Sequence, residues 1–91
     1  MTKIKAIVTG HTRGLGAALA DELLARGIDV LGVARSIRPD AGNMEQVELD
    51  LADLSALEAW IATNALARFT RNAPTVLLFN NAGILQPVLP V

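Results

Sequence analysis

Cysteine and tyrosine are both missing from these 91 residues. Without cysteine there is no disulfide and no thiolate metal site, and no metal centre is expected. Without tyrosine, and with only two Phe and one Trp, the core has to be built from Ala, Val, Leu and Ile. Charge of one sign is also scarce: the formal net charge is -1. A nucleic-acid partner wants a basic stripe, and none is present. No basic amphipathic stretch suits a membrane surface, and no apolar run approaches the roughly 18 residues that cross a bilayer. The opening MTKIKAIVTG has too short an apolar run for a signal peptide. A cytoplasmic protein is the expectation.

What is present is hydrophobic residue, 52% of the chain, enough for one small core. A domain of this length buries about 60–65% of the surface its unfolded chain exposes. Strand and helix patterns alternate. Residues Ile4 to Thr9 (IKAIVT) are rich in β-branched side chains and stop at Gly10, as a strand does. From Gly14 to Arg26, apolar residues recur at Leu15, Ala18, Leu19, Leu23 and Leu24, which is helical spacing. Gly27 then ends the helix.

Ile28 to Ala34 reads as a second strand and Ser36 to Asn43 as a loop. Gln46 to Leu49 is a short third strand. Asp53, or Ser55 through a Ser55-Ala-Leu-Glu58 capping box, starts a helix running to about Phe69. Its expected inner face is Leu57, Ile61, Ala65 and Phe69. Asn72-Ala-Pro74 breaks it, and Thr75 to Asn80 (TVLLFN) is a fourth strand whose unbroken apolar run suits burial on both faces.

This order implies an α/β fold with a parallel sheet. Right-handed crossovers constrain the layout: if strands two and three go to one side of strand one and strand four to the other, the connecting helices cover opposite faces. The expected architecture is a partial Rossmann, doubly wound, four-stranded sheet of order 3-2-1-4. Ligands in such sheets bind at the carboxyl ends of the strands beside the switch point. Gly10 and Asn80 both end strands there.

The stretch VTGHTRGLG lies between a strand and a helix, the context in which a glycine pattern means phosphate binding. Gly10 allows the tight turn, while Gly14 and Gly16 let backbone, pyrophosphate and helix approach closely. Free N–H groups at the helix start hold phosphate, and Thr12 adds a hydroxyl. The bland alternative is a glycine turn that only packs helix on strand. The second strand ends in Ala34-Arg35, without the acid that binds a ribose 2′-hydroxyl. Arg35 and Arg13 can instead face a 2′-phosphate, or be solvated surface charges. Asp50 either accepts from an adenine amino group or caps the next helix. Asn80-Asn81-Ala82-Gly83 either ties adjacent loops together or is an ordinary turn.

Taken together, these residues resemble the start of the short-chain dehydrogenase/reductase family. Thr9 to Gly16 matches its TGxxxGxG cofactor loop, Asp50-Leu51 its acidic position after the third strand, and Asn80 to Gly83 its NNAG motif. The resemblance implies an NADP(H) site lined by Gly10, Thr12, Arg13, Gly14, Leu15, Gly16, Arg35, Asp50, Leu51, Asn80, Ala82 and Gly83. It also implies hydride transfer between nicotinamide and a carbonyl or alcohol carbon.

The family's catalytic Ser and Tyr-x-x-x-Lys lie beyond NNAG, and no tyrosine is present. Residues 1–91 are therefore expected to be the N-terminal NADP(H)-binding half of a truncated Rossmann domain, inactive alone, with no catalytic residue of its own. Lone His11 reads as a solvated loop residue beside the adenosine phosphate, or as a substitute acid. The alternatives are a non-catalytic NADP(H) sensor or partner subunit, and a dimerising half-Rossmann remnant that binds nothing. An open edge at residues 75–80 is expected to pair in a homodimer or higher assembly.

Overall fold

Four short β-rich segments pair side by side in parallel, as their alternation with helices requires. The computed structural model describes residues 4–81. The elements are β1 (Ile4–Thr9), α1 (Gly14–Ala25), β2 (Asp29–Ala34), β3 (Glu45–Glu48), α2 (Leu54–Ala62), α3 (Ala65–Thr70) and β4 (Thr75–Asn80). The sheet order is β3-β2-β1-β4, the expected doubly wound order. Register runs from Ile4 opposite Thr75 to Thr9 opposite Asn80, and from Lys5 opposite Asp29 to Thr9 opposite Val33. The carboxyl ends of β1, β2 and β4 thus lie level.

Side chains alternate across the strands, so the sheet builds two apolar layers. Ala6, Val8 and Val30 face α1 with Ala20, Leu23, Ala41 and Met44. Leu31, Val33 and Leu49 face α2 and α3 with Phe69, and Leu57, Trp60 and Leu66 pack at the margin. Both layers are aliphatic in the main, as the scarcity of aromatics demands.

Three expectations need correction. The helix expected from residue 53 to about 69 is two helices. Thr63 Oγ1 donates to the Trp60 carbonyl at 2.6 Å and accepts from Ala65 N–H, and Asn64 takes a left-handed φ of 66°. A threonine hydroxyl that binds backbone groups competes with the helical ladder. As a result Ile61 is 52% exposed rather than inward. The start is Asp53, whose carboxylate accepts from Ala56 N–H at 3.1 Å, and not the Ser55 capping box.

The buried stripe of α1 is Gly16, Ala20 and Leu23. Leu15 is 76% exposed, because the helix meets the loop through the residue beside it. Finally, β4 is not buried on both faces among the described residues. Leu77 and Phe79 pack on the α1 layer, whereas Val76 and Leu78 are exposed. Strand and helix limits otherwise move by one residue.

Candidate functional site

The glycine loop is shaped by two different demands. Gly10 and Gly14 have φ of 74° and 60°, a left-handed backbone that costs other residues energy. Gly16 has ordinary helical backbone, but a Cβ there would fall on the Gly10 carbonyl oxygen and 2.7 Å from Asn81 Nδ2. The first turn of α1 therefore closes directly onto the end of β1. Arg13 precedes the helix in extended backbone and makes no side-chain cap, and the helix has no acid in its first turn. The leading N–H groups of α1 consequently point outward without an intrahelical acceptor. That arrangement, with the helix dipole, favours an anion.

Strand ends converge on this loop. Gly10 N–H donates to the Val33 carbonyl at 2.8 Å, which fixes the loop to the end of β2. On the other side, Thr9 Oγ1 donates to Asn80 Oδ1 at 3.1 Å and accepts from Asn81 N–H at 2.9 Å. Asn81 Nδ2 donates to the Gly10 carbonyl at 3.2 Å. The asparagine pair thus ties the end of β4 to β1 at the switch point.

A cleft of about 950 Å³ opens over these strand ends. Gly10, Thr12, Arg13, Arg35, Asp50, Leu51 and Asn80, all expected from sequence, line it. Gly14, Leu15 and Gly16 are not among its lining residues; they form the first turn of α1, next to Arg13 at the cleft. Ala82 and Gly83 lie outside the described residues. Asn81, part of the NNAG match, also contributes to the wall, as do Ser36, Leu49 and Ala52, which were not foreseen. Asp50 does not cap α2, since Asp53 does. Its Oδ1 accepts from Ala52 N–H at 2.9 Å, which turns the carboxylate to the cleft edge.

Electrostatically, four of the six arginines divide into two groups. Arg26 pairs with Glu22 at 2.8 Å. Arg38 is clamped by Asp21 at 3.0 Å and Asp40 at 3.2 Å. The Asp21 hydrogen bond raises the Arg38 guanidinium above its ordinary value; burial opposes this and Asp40 adds to it. Arg13 and Arg35 are exposed, sit on the cleft, and have no ion-pair partner among the described residues.

His11 overturns its expected place. It is fully buried, at 0% exposure, and is neither a solvated loop residue nor a group placed to donate a proton in the cleft. Nε2 lies 2.7 Å from Gln46 Oε1. The ring lies against Gly32 of β2, where any Cβ would overlap it. A glycine inside the apolar strand DVLGVA was the available signal, because such a glycine marks a close approach.

Comparison with known proteins agrees with this geometry. The model of the NAD dependent epimerase/dehydratase family matches residues 6–69. A short-chain dehydrogenase/reductase from Phomopsis amygdali is 35% identical over 95 residues, covering 89% of this chain and 27% of its own length. The 3-oxoacyl-(acyl-carrier-protein) reductase FabG of Salmonella typhimurium is 37% identical over 88 residues, covering 89% of this chain and 34% of its own length. This chain therefore spans about a third of the length of those relatives. A crystal structure of a short-chain dehydrogenase/reductase from Burkholderia vietnamiensis is 52% identical with a TM-score of 0.86, covering 98% of this chain and 45% of that one. The chain belongs to the NAD dependent epimerase/dehydratase family and is an N-terminal part of the short-chain dehydrogenase/reductase type.

Proposed function

We propose that these residues form the NADP(H)-binding half of a short-chain oxidoreductase that moves hydride between nicotinamide and a carbonyl or alcohol carbon. One observation carries the reading: Arg13 and Arg35 share one cleft without an ion-pair partner among the described residues, and Arg35 follows the strand where an NAD site would place an acid. Two guanidinium forks suit a phosphate on the adenosine ribose. The first turn of α1 receives the pyrophosphate, with Thr12 as an added donor. Asp50 and Leu51 would flank the adenine, and Asn80 would continue the wall toward the nicotinamide.

When bound, the cofactor supplies the hydride. The protein's own residues hold and orient it. No tyrosine is present to protonate the substrate oxygen. Lys5 is occupied at the opposite end of β1, donating to the Phe69 carbonyl at 2.7 Å. These 91 residues are therefore proposed to bind cofactor without turning substrate over. Val76 and Leu78 leave an apolar face on β4, and we assign residues 75–80 to pairing with a second copy, in a cytoplasmic homodimer or higher assembly.

Titration calorimetry with NADPH, NADH and 2′-phospho-ADP-ribose tests the cofactor reading. Tighter binding of both 2′-phosphates than of NADH is expected. Equal affinity for NADPH and NADH refutes the preference, and no binding at millimolar ligand refutes the site.

A further inference from the structure

His11 has no place among groups that touch a cofactor, yet it is among the largest fully buried side chains. Its hydrogen-bond partner is informative. Gln46 Oε1 accepts from Arg38 N–H at 2.9 Å, and Gln46 Nε2 donates to the Arg38 carbonyl at 2.9 Å. This pair of hydrogen bonds to one residue's backbone fixes which end of the amide is oxygen. The same oxygen meets His11 Nε2 at 2.7 Å, so the imidazole must donate. His11 therefore carries its proton on Nε2. Nδ1 is buried and has no hydrogen-bond partner among the described residues.

The network joins three parts of the chain. His11 lies in the glycine loop, two residues before Arg13. Gln46 lies in β3. Arg38 lies in the loop after β2, three residues beyond Arg35. Arg38 also anchors that loop to α1 through Asp21. Gly32 supplies the room: with any side chain there the ring could not reach β3. A buried polar atom without a partner normally costs stability.

We propose that His11 is a positioning residue for cofactor selectivity. Through Gln46 it sets the separation of the glycine loop and the β2–β3 loop, and so the placement of Arg13 and Arg35 about a 2′-phosphate. It never touches the cofactor. This inference rests on the NADP(H) reading above.

The test is calorimetry on the intact protein with NADPH and NADH, for wild type and for His11→Leu, His11→Gln and Gln46→Met. Circular dichroism verifies the fold of each. His11→Leu keeps bulk and removes the donor, and Gln46→Met removes the bridge. Each is expected to weaken NADPH about fivefold to tenfold, the equivalent of one neutral hydrogen bond, with NADH nearly unchanged. His11→Gln retains an N–H at similar reach and is expected to restore the preference.

Equal weakening of both cofactors, or an unchanged preference, overturns the inference while leaving the NADP(H) reading intact. A wild type without preference overturns both. Should His11→Leu fail to fold, Gln46→Met and His11→Gln decide by the same ratio.

Discussion

Gly16 and Asn81 meet across the mouth of the glycine loop, and the Gly10 carbonyl lies between them. A Cβ on Gly16 would sit 2.7 Å from Asn81 Nδ2, the nitrogen that donates to that carbonyl at 3.2 Å. Helix, loop and the end of β4 therefore share one contact. Gly16→Ala must push backbone against backbone, and a cost of about 1–3 kcal/mol is expected. Gly14→Ala has open space but keeps a φ of 60°, and is expected to cost about 1 kcal/mol. Urea denaturation followed through Trp60, the one tryptophan, ranks the two.

Gly32 and His11 form a second steric pair. Gly32→Ala places a methyl group in the imidazole ring, which has nowhere to go at 0% exposure. Overpacking of this kind is expected to cost about 1–3 kcal/mol. In a His11→Ala background the same change is expected to cost much less. A double-mutant cycle on unfolding free energies measures the coupling, and an additive result contradicts the packing described.

Thr9→Val keeps the shape of β1 and removes a hydroxyl that serves Asn80 and Asn81. The Asn81 N–H loses the nearer of its two acceptors and keeps the Phe79 carbonyl at 3.1 Å, and a loss of about 0.5–1.5 kcal/mol is expected. Hydrogen exchange at Asn81 is expected to quicken more than exchange in β2. Uniform quickening across the sheet would mean the bond is not local to this strand end.

Arg35→Asp exchanges the fork for the acid that a ribose 2′-hydroxyl prefers. NADPH affinity is expected to fall by at least about tenfold, matching a charge-assisted hydrogen bond, while NADH binds as well or better. Arg13→Ala is expected to weaken NADPH in the same direction. Calorimetry reads both. Unchanged NADPH binding in both variants would remove the arginines from the site.

Leu78→Lys sets a charge in the exposed apolar face of β4, where Leu78 is 65% exposed. It is expected to lower self-association without lowering stability, since lysine at an exposed edge discourages pairing. Light scattering at micromolar concentration compares the two masses. A wild type that is already monomeric refutes the assembly through residues 75–80.

Local chemistry in the chain was sufficient for the sheet. β-Branched runs that stop at Gly10 and Asn80, with helical spacing between them, imply a parallel sheet, and placing strand four across strand one from strand two gives the observed order β3-β2-β1-β4. The same runs place the glycine loop, Arg35, Asp50 and Asn80 at strand ends, so most of the cleft was legible.

Tertiary structure decided which side chains are inside. Residues 15 and 16 differ by about 100° around α1, and only the loop's shape puts Gly16 inward and Leu15 in solvent. A threonine hydroxyl at Thr63 split a helix whose apolar spacing ran on. His11 looked solvated because its neighbours in sequence are glycine, threonine and arginine. Its neighbours in space are Gly32 and Gln46, 21 and 35 residues away, and burial is set by the contacts that folding assembles rather than by adjacency along the chain.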